Sequence, residues 1–186
     1  LGMPLPLLPV HILWVNLLTD GLPGLALSRE QEEPDIMKRP PRPPAQGILA
    51  DRLWWHILWV GLLLGAAALF TQYWALRQGI AHWQTMVFTV LTLSQLGHVL
   101  AIRSDRESLW ARGLWSNRPL ALAVILTLLL QLAVIYLPWF NDAFHTAPLS
   151  AAELLFCIAL SCVVFLAVEG EKWLLRRRQA APVAIS

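Results

Sequence analysis

Asn16-Leu17-Leu18-Thr19-Asp20-Gly21-Leu22-Pro23-Gly24 sets one carboxylate and a helix-weakening Gly/Pro cluster inside an otherwise apolar run, Leu5 to Leu27. A charge at bilayer depth costs about 2.5 to 3.5 kcal/mol on insertion scales, so a carboxylate held there marks a function. The rest of the chain reads as its housing. Of 186 residues, 57% are apolar and 14% charged, and the mean hydropathy is +0.56. Those values lie outside the range of a soluble domain of this size and predict an all-α, polytopic membrane helix bundle.

A hydrocarbon core about 30 Å thick needs roughly 20 apolar residues of helix. Five segments meet that length, giving one transmembrane domain over 1–186 with spans at about 9–28, 53–76, 83–102, 119–138 and 151–175. The first helix is expected to break after Asp20. Residues 29–52 form a polar connection whose run Arg39-Pro40-Pro41-Arg42-Pro43-Pro44 excludes helix. With 29–52 and 103–118 cytosolic, 13 of the 14 Lys and Arg fall on one side and only Arg77 opposite. The positive-inside rule then puts the C-terminus in the cytosol. Trp54, Trp55, Trp74, Trp83, Trp115, Trp139 and Trp173 fall near span ends, where amphipathic rings anchor, whereas Trp14 and Trp59 sit deeper as packing or lipid-facing residues. The start, Leu1 to Val10, lacks the features of a signal peptide, and the chain is read as part of a longer protein.

On an α-helix, Asn16, Thr19 and Asp20 share a face and offer an amide carbonyl, a hydroxyl and a carboxylate. Hard oxygen donors of this kind suit Ca²⁺, or Mn²⁺ and Mg²⁺ with tighter shells. Irregular backbone over Gly21 to Gly24 would free carbonyls to join them. The alternative is that Asn16 and Thr19 only glue helices together while a partner neutralises Asp20. Other features carry less chemistry. Gly61-Leu62-Leu63-Leu64-Gly65 is a close-approach surface for another helix. Cys157 and Cys162, five apart, match neither a redox pair nor a zinc spacing and are read as packing residues. Glu153, Glu169 and Glu171 fall near the ends of the last span as solvated or lysine-paired carboxylates. His98 is a polar packing residue or, less favoured, a proton-linked group. Nucleic acid is not an expected partner.

The stretch Pro9-Val10-His11-Ile12-Leu13-Trp14-Val15-Asn16-Leu17-Leu18-Thr19-Asp20-Gly21-Leu22-Pro23 closely resembles the sixth transmembrane helix of calcium-transporting P-type ATPases of the sarco/endoplasmic-reticulum type. Pro34-Asp35-Ile36-Met37-Lys38-Arg39-Pro40-Pro41-Arg42 is similar to the cytosolic loop that follows that helix. The resemblance extends over essentially the whole chain, as the cation-ATPase C-terminal region, and makes the five spans helices six to ten.

It implies that Asn16, Thr19 and Asp20 are ligands of a transported cation, with Asp20 able to bridge two sites. The Asn-x-x-Thr-Asp pattern is intact here, whereas secretory-pathway calcium and manganese pumps replace the Thr. Gln95, in Thr92-Leu93-Ser94-Gln95-Leu96, falls where the two-site pumps carry a helix-eight Glu. It keeps an oxygen but loses the charge, which favours one calcium per cycle; an interhelical hydrogen bond is the other reading of Gln95. Asp35 and the Pro-rich loop would couple the bundle to a phosphorylation domain.

No Asp-Lys-Thr-Gly-Thr motif, nucleotide-binding domain or actuator motif occurs in these residues, so the chain alone is not expected to hydrolyse ATP and contains no catalytic residue. The expected function is the membrane-embedded, ion-binding part of an ATP-driven divalent-cation pump, with Ca²⁺ as the transported ion and Mg-ATP acting only through other domains. Its expected partners are that cation, the lipid bilayer, helices one to five and the cytosolic domains, in a bacterial plasma membrane. The alternatives are a non-enzymatic transporter or assembly subunit, or a pump for Mn²⁺ or a monovalent cation.

Overall fold

The computed structural model describes residues 4–30, 37, 52–103 and 113–180. The motif Pro34–Arg42 apart from Met37, with Asp35, and the basic residues Arg106 and Arg112 lie outside them. Among the described residues the chain is all helix and turn. A first rod comprises α1 (Pro9–Trp14), a π-helical segment (Val15–Gly21) and α2 (Leu22–Leu27). Then follow α3 (Arg52–Arg77), α4 (Trp83–Ala101), a 3₁₀ turn (Leu114–Ser116), α5 (Arg118–Tyr136), α6 (Pro138–Phe144) and α7 (Ala151–Ala180).

Four of the described helices are long and apolar enough to cross a membrane: Pro9–Leu27, Leu53–Arg77, Arg118–Tyr136 and Ala151–Leu174. The third of the five expected spans is not among them. The expected third span exists as α4, but Thr85, Thr89, Thr92, Ser94, Gln95 and His98 make it too polar to qualify. Its position explains why. Helix α4 is the central strut, with buried residues along its whole length. Met86 and Val90 pack with Ala67, Ala75, Ile135, Cys157 and Val164 toward one end. Leu96 and Val99 pack with Ala26, Leu120, Ala123 and Val124 toward the other. A helix enclosed by other helices need not match lipid, whereas Leu62, Leu122, Leu155 and Leu166 on the outer helices remain exposed.

A correction concerns the first rod, which does not break after Asp20. Gly21 and Leu22 keep right-handed helical angles (φ −68, ψ −53 and φ −67, ψ −50). Pro23 lacks the N–H that an α-helix would aim at the Thr19 carbonyl, and its ring would crowd that carbonyl. The π-helical turn ahead of it widens the spiral and places Pro23 in the first turn of α2, where the missing donor is cheapest.

Elsewhere the ends follow local rules. Leu137, preceding Pro138, is extended and ends α5. Asn117 Oδ1 caps that helix by accepting from Leu120 N at 3.0 Å. Ser150 and Glu153 cap α7 reciprocally, Glu153 Oε2 accepting from Ser150 N at 2.7 Å and Ser150 Oγ from Glu153 N at 3.3 Å. Glu153 also meets His82 Nε2 at 3.0 Å, and Lys172 pairs with Glu169 at 2.7 Å. Among the described residues no close approach is made at Gly61 or Gly65, for a Cβ on either would meet open space. Gly97 serves that purpose instead, since its Cβ would stand 3.3 Å from Phe165 Cβ on α7.

Candidate cation site

The π-helical turn decides how the four predicted ligands are presented. Widening the turn beyond 3.6 residues brings positions four apart into line and separates positions three apart. Asn16 and Asp20 accordingly lie together on the exposed side of the rod, and Thr19 is fully buried on another. The Thr19 hydroxyl lies within hydrogen-bonding reach of Val15 O and 2.9 Å from Gln95 Oε1 on α4. One hydroxyl proton serves one acceptor at a time. With the Gln95 amide turned over, its Nε2 donates to Thr19 while Thr19 donates to Val15 O, and both groups are satisfied.

Two of the predicted residues, Thr19 and Gln95, are therefore in contact across the rod and α4. Asn16 and Asp20 are not in that contact and face outward beside it. Gly21 is tight, a Cβ there standing 3.3 Å from the Asn16 carbonyl. Thr92 Oγ1 and Ser94 Oγ, three and one positions before Gln95, are buried and have no hydrogen-bond partner among the described residues. Among the described residues no three His, Cys, Asp or Glu gather as a metal centre. A cation held here would depend on amide, hydroxyl and backbone oxygens around the single carboxylate of Asp20, a hard-donor set.

Three anchors hold the rod at this register, and none was legible from local spacing. At one end His11 is fully buried and stacks on Phe88 with ring centroids 4.5 Å apart. Leu8 N donates to its Nδ1 at 3.3 Å, so Nε2 carries the hydrogen and donates to Phe144 O at 2.8 Å. In the middle Trp14 Nε1 donates to Gln131 Oε1 on α5 at 3.0 Å. At the other end Arg103 grips Glu30 through two 3.0 Å bonds and donates to Gly113 O and Ser116 Oγ. Asn117 Nδ2 joins the same carboxylate at 2.8 Å.

His98 enters a chain that crosses three helices. Glu171 Oε2 accepts from His56 Nδ1 at 2.7 Å, and His56 Nε2 faces His98 Nε2 at 3.3 Å. Only the family of hydrogen-bonding residue types hints at this cluster in the sequence; its pairings span 42 and 115 positions.

The chain matches the family model "Cation transporting ATPase, C-terminus" over residues 4–174. It is 41% identical over 166 residues to a calcium-transporting ATPase of Bacillus subtilis, covering 88% of this chain and 18% of that protein. It is 31% identical over 215 residues to the endoplasmic reticulum calcium ATPase srcA of Aspergillus fumigatus, covering 98% and 22%. Against the human calcium-transporting ATPase type 2C member 1 the identity is 33% over 181 residues, covering 96% and 20%. The chain thus spans about a fifth of the length of these relatives.

Proposed function

The chain belongs to the family of cation-transporting ATPase C-terminal regions, and from that premise we propose that it supplies part of the cation cage of an ATP-driven Ca²⁺ pump. The single observation that carries this reading is the Thr19–Gln95 contact, 2.9 Å, made beside a π-helical turn that leaves Asn16 and Asp20 turned outward. Half of an oxygen-donor set is tied to the central helix, and the other half faces the side on which further helices of the parent protein would close the cage. Asp20 carries the charge that binds, while Asn16 and Thr19 supply neutral oxygens. Gln95 positions Thr19 and offers an oxygen of its own. With Gln rather than a carboxylate at that place, the cage neutralises less charge, which favours one Ca²⁺ per cycle over two.

Helix α4 acts as a fifth crossing helix whose polarity is tolerated because it is enclosed. Arg29, Arg103 and Lys172 lie near the end of the bundle where Glu30, Ala101 and Asn117 meet. That end is cytosolic by the positive-inside rule, as is the C-terminus. The likeness to the Bacillus subtilis protein supports a bacterial plasma membrane. ATP hydrolysis belongs to domains outside this chain, which would move the rod and release the ion to the opposite side.

The test is Ca²⁺-stimulated ATPase activity and ⁴⁵Ca²⁺ uptake by the full-length protein in vesicles. Asp20→Asn should abolish calcium dependence, and Asn16→Ala should lower apparent calcium affinity at least tenfold. Unchanged calcium dependence in Asp20→Asn overturns the ligand assignment. Stimulation by Mn²⁺ or a monovalent cation in place of Ca²⁺ keeps the pump and changes its cargo.

A further inference from the structure

A cleft of about 600 Å³ opens between α4, α5 and α7, a size within the roughly 300 to 1,000 Å³ of small-molecule sites. Leu93, Leu100, Leu132, Ile158 and Cys162 make its walls almost wholly apolar, and Gln131 borders it. Gln131 is 1% exposed, and among the described residues its Nε2 has no hydrogen-bond partner. The contact with Trp14 sets which end of its amide faces the rod. Trp14 Nε1–H is a donor only, so the oxygen must face Trp14 and the NH₂ group must turn away from it. A buried amide NH₂ with no acceptor is costly in hydrocarbon, where no bulk water can repay it.

Depth narrows the occupant. Helix α5 has 19 residues, about the thickness of the hydrocarbon core, and Gln131 lies five residues before its end at Tyr136. That is about 7.5 Å below the interface at 1.5 Å per residue, deeper than the headgroup region where lipid esters are anchored. The cleft borders no described charged side chain that would hold a headgroup.

We infer that this cleft is a binding site for a neutral lipophile dissolved in the bilayer core, one that presents a carbonyl or ether oxygen to the Gln131 NH₂. The apolar walls take its hydrocarbon body, and the amide reads the oxygen after a small side-chain shift that brings Nε2 to the cleft surface. A charged amphiphile is rejected by the walls, and a molecule without an acceptor leaves the amide unpaired. Trp14 stands two positions before Asn16, so the cleft and the candidate cation site share one strut. The binding itself does not depend on what that site carries.

Benzophenone has this chemistry and inserts into nearby C–H bonds on irradiation. The full-length protein in phosphatidylcholine vesicles should take up the label on peptides of α4, α5 and α7 that line the cleft. Fluorenone should block labelling at a roughly five- to tenfold lower concentration than fluorene, which has the same shape and no oxygen. Gln131→Leu should erase that preference while labelling persists. Trp14→Phe, which leaves Gln131 in place and lets its amide rotate, should weaken the preference, and Cys162→Trp should suppress labelling by filling the cleft. Equal protection by fluorenone and fluorene in the native protein overturns the inference. So does label spread evenly over the lipid-facing helices, as expected if phospholipid chains alone fill the cleft.

Discussion

Replacing Thr19 by Val separates a cation ligand from interhelical glue, because the two roles leave different signatures. The substitution keeps shape and removes one hydroxyl from a site that is fully buried. Without calcium, the loss is the contact with Gln95 at 2.9 Å. Interhelical hydrogen bonds in membranes average about 0.6 kcal/mol and reach about 1.7, so the variant should be destabilised by about that amount. Val15 O gives up a second donor that the helix ladder does not need. With calcium, a further deficit appears. Ca²⁺ at a hundred times its Kd stabilises the native state by about 2.7 kcal/mol. A tenfold weaker site loses about 1.4 kcal/mol of that at the same concentration.

The assay is thermal unfolding of the full-length protein, with chelator and with saturating Ca²⁺, for the native protein, Thr19→Val, Gln95→Leu and the double variant. The single losses should be less than additive in chelator, since either variant breaks the same contact. Thr19→Val should also narrow the gap between the two calcium conditions. An unchanged gap refutes the ligand role and leaves glue. Strict additivity refutes the contact.

Two anchors of the rod and one packing glycine give three more outcomes. His11→Phe preserves the stack on Phe88 but orphans Phe144 O and Leu8 N, and should cost about 1 to 3 kcal/mol in chemical or thermal unfolding; His11→Ala should cost more because it also opens a cavity. Arg103→Lys keeps the charge but cannot reproduce the paired bonds to Glu30, so it should lower stability by about 1.5 to 3 kcal/mol, while Arg103→Ala should lose more by leaving the half-buried Glu30 carboxylate without its guanidinium. Gly97→Leu should push α4 from α7 and cost about 1 to 3 kcal/mol by overpacking, and Gly97→Ala should cost less, as read by melting temperature.

What the sequence made legible is what short-range pattern can carry. Composition decided for a membrane bundle, and span-length apolar runs placed the helices. The Asn16–Gly24 stretch singled out the candidate site because a carboxylate in an apolar run is expensive whatever surrounds it. The misreadings arose where partners decide the outcome. Hydrophobic run length placed α4 but not its enclosure, because a helix whose Thr and Ser residues are buried by neighbours answers to those neighbours. The Gly61–Gly65 spacing promised a close contact that Gly97, without a paired glycine, makes with Phe165. Pairings such as Trp14–Gln131, 117 positions apart, leave no mark on either local segment.

The π-helical turn connects these points to the chemistry. Three-and-four spacing on an α-helix would turn Asn16, Thr19 and Asp20 to one face, and a single helix would then hold the whole donor set. The widened turn divides them, sending Thr19 inward to Gln95 and leaving Asn16 and Asp20 turned outward. Pro23 makes that division economical, because the turn that accommodates its missing N–H is the same turn that rotates the candidate ligands. Replacing Pro23 by Ala removes the reason for the wide turn, and the segment should relax toward ordinary α-helix. Asn16 would then swing toward Thr19 and the register of Asp20 against α4 would change. The expected outcome is a protein as stable as the native one, or more so, with weakened calcium binding. Hydrogen exchange across 15–24 and calcium affinity, measured on the same full-length sample, check it: native affinity together with a slowed, α-like exchange pattern would refute the link between the turn and the site.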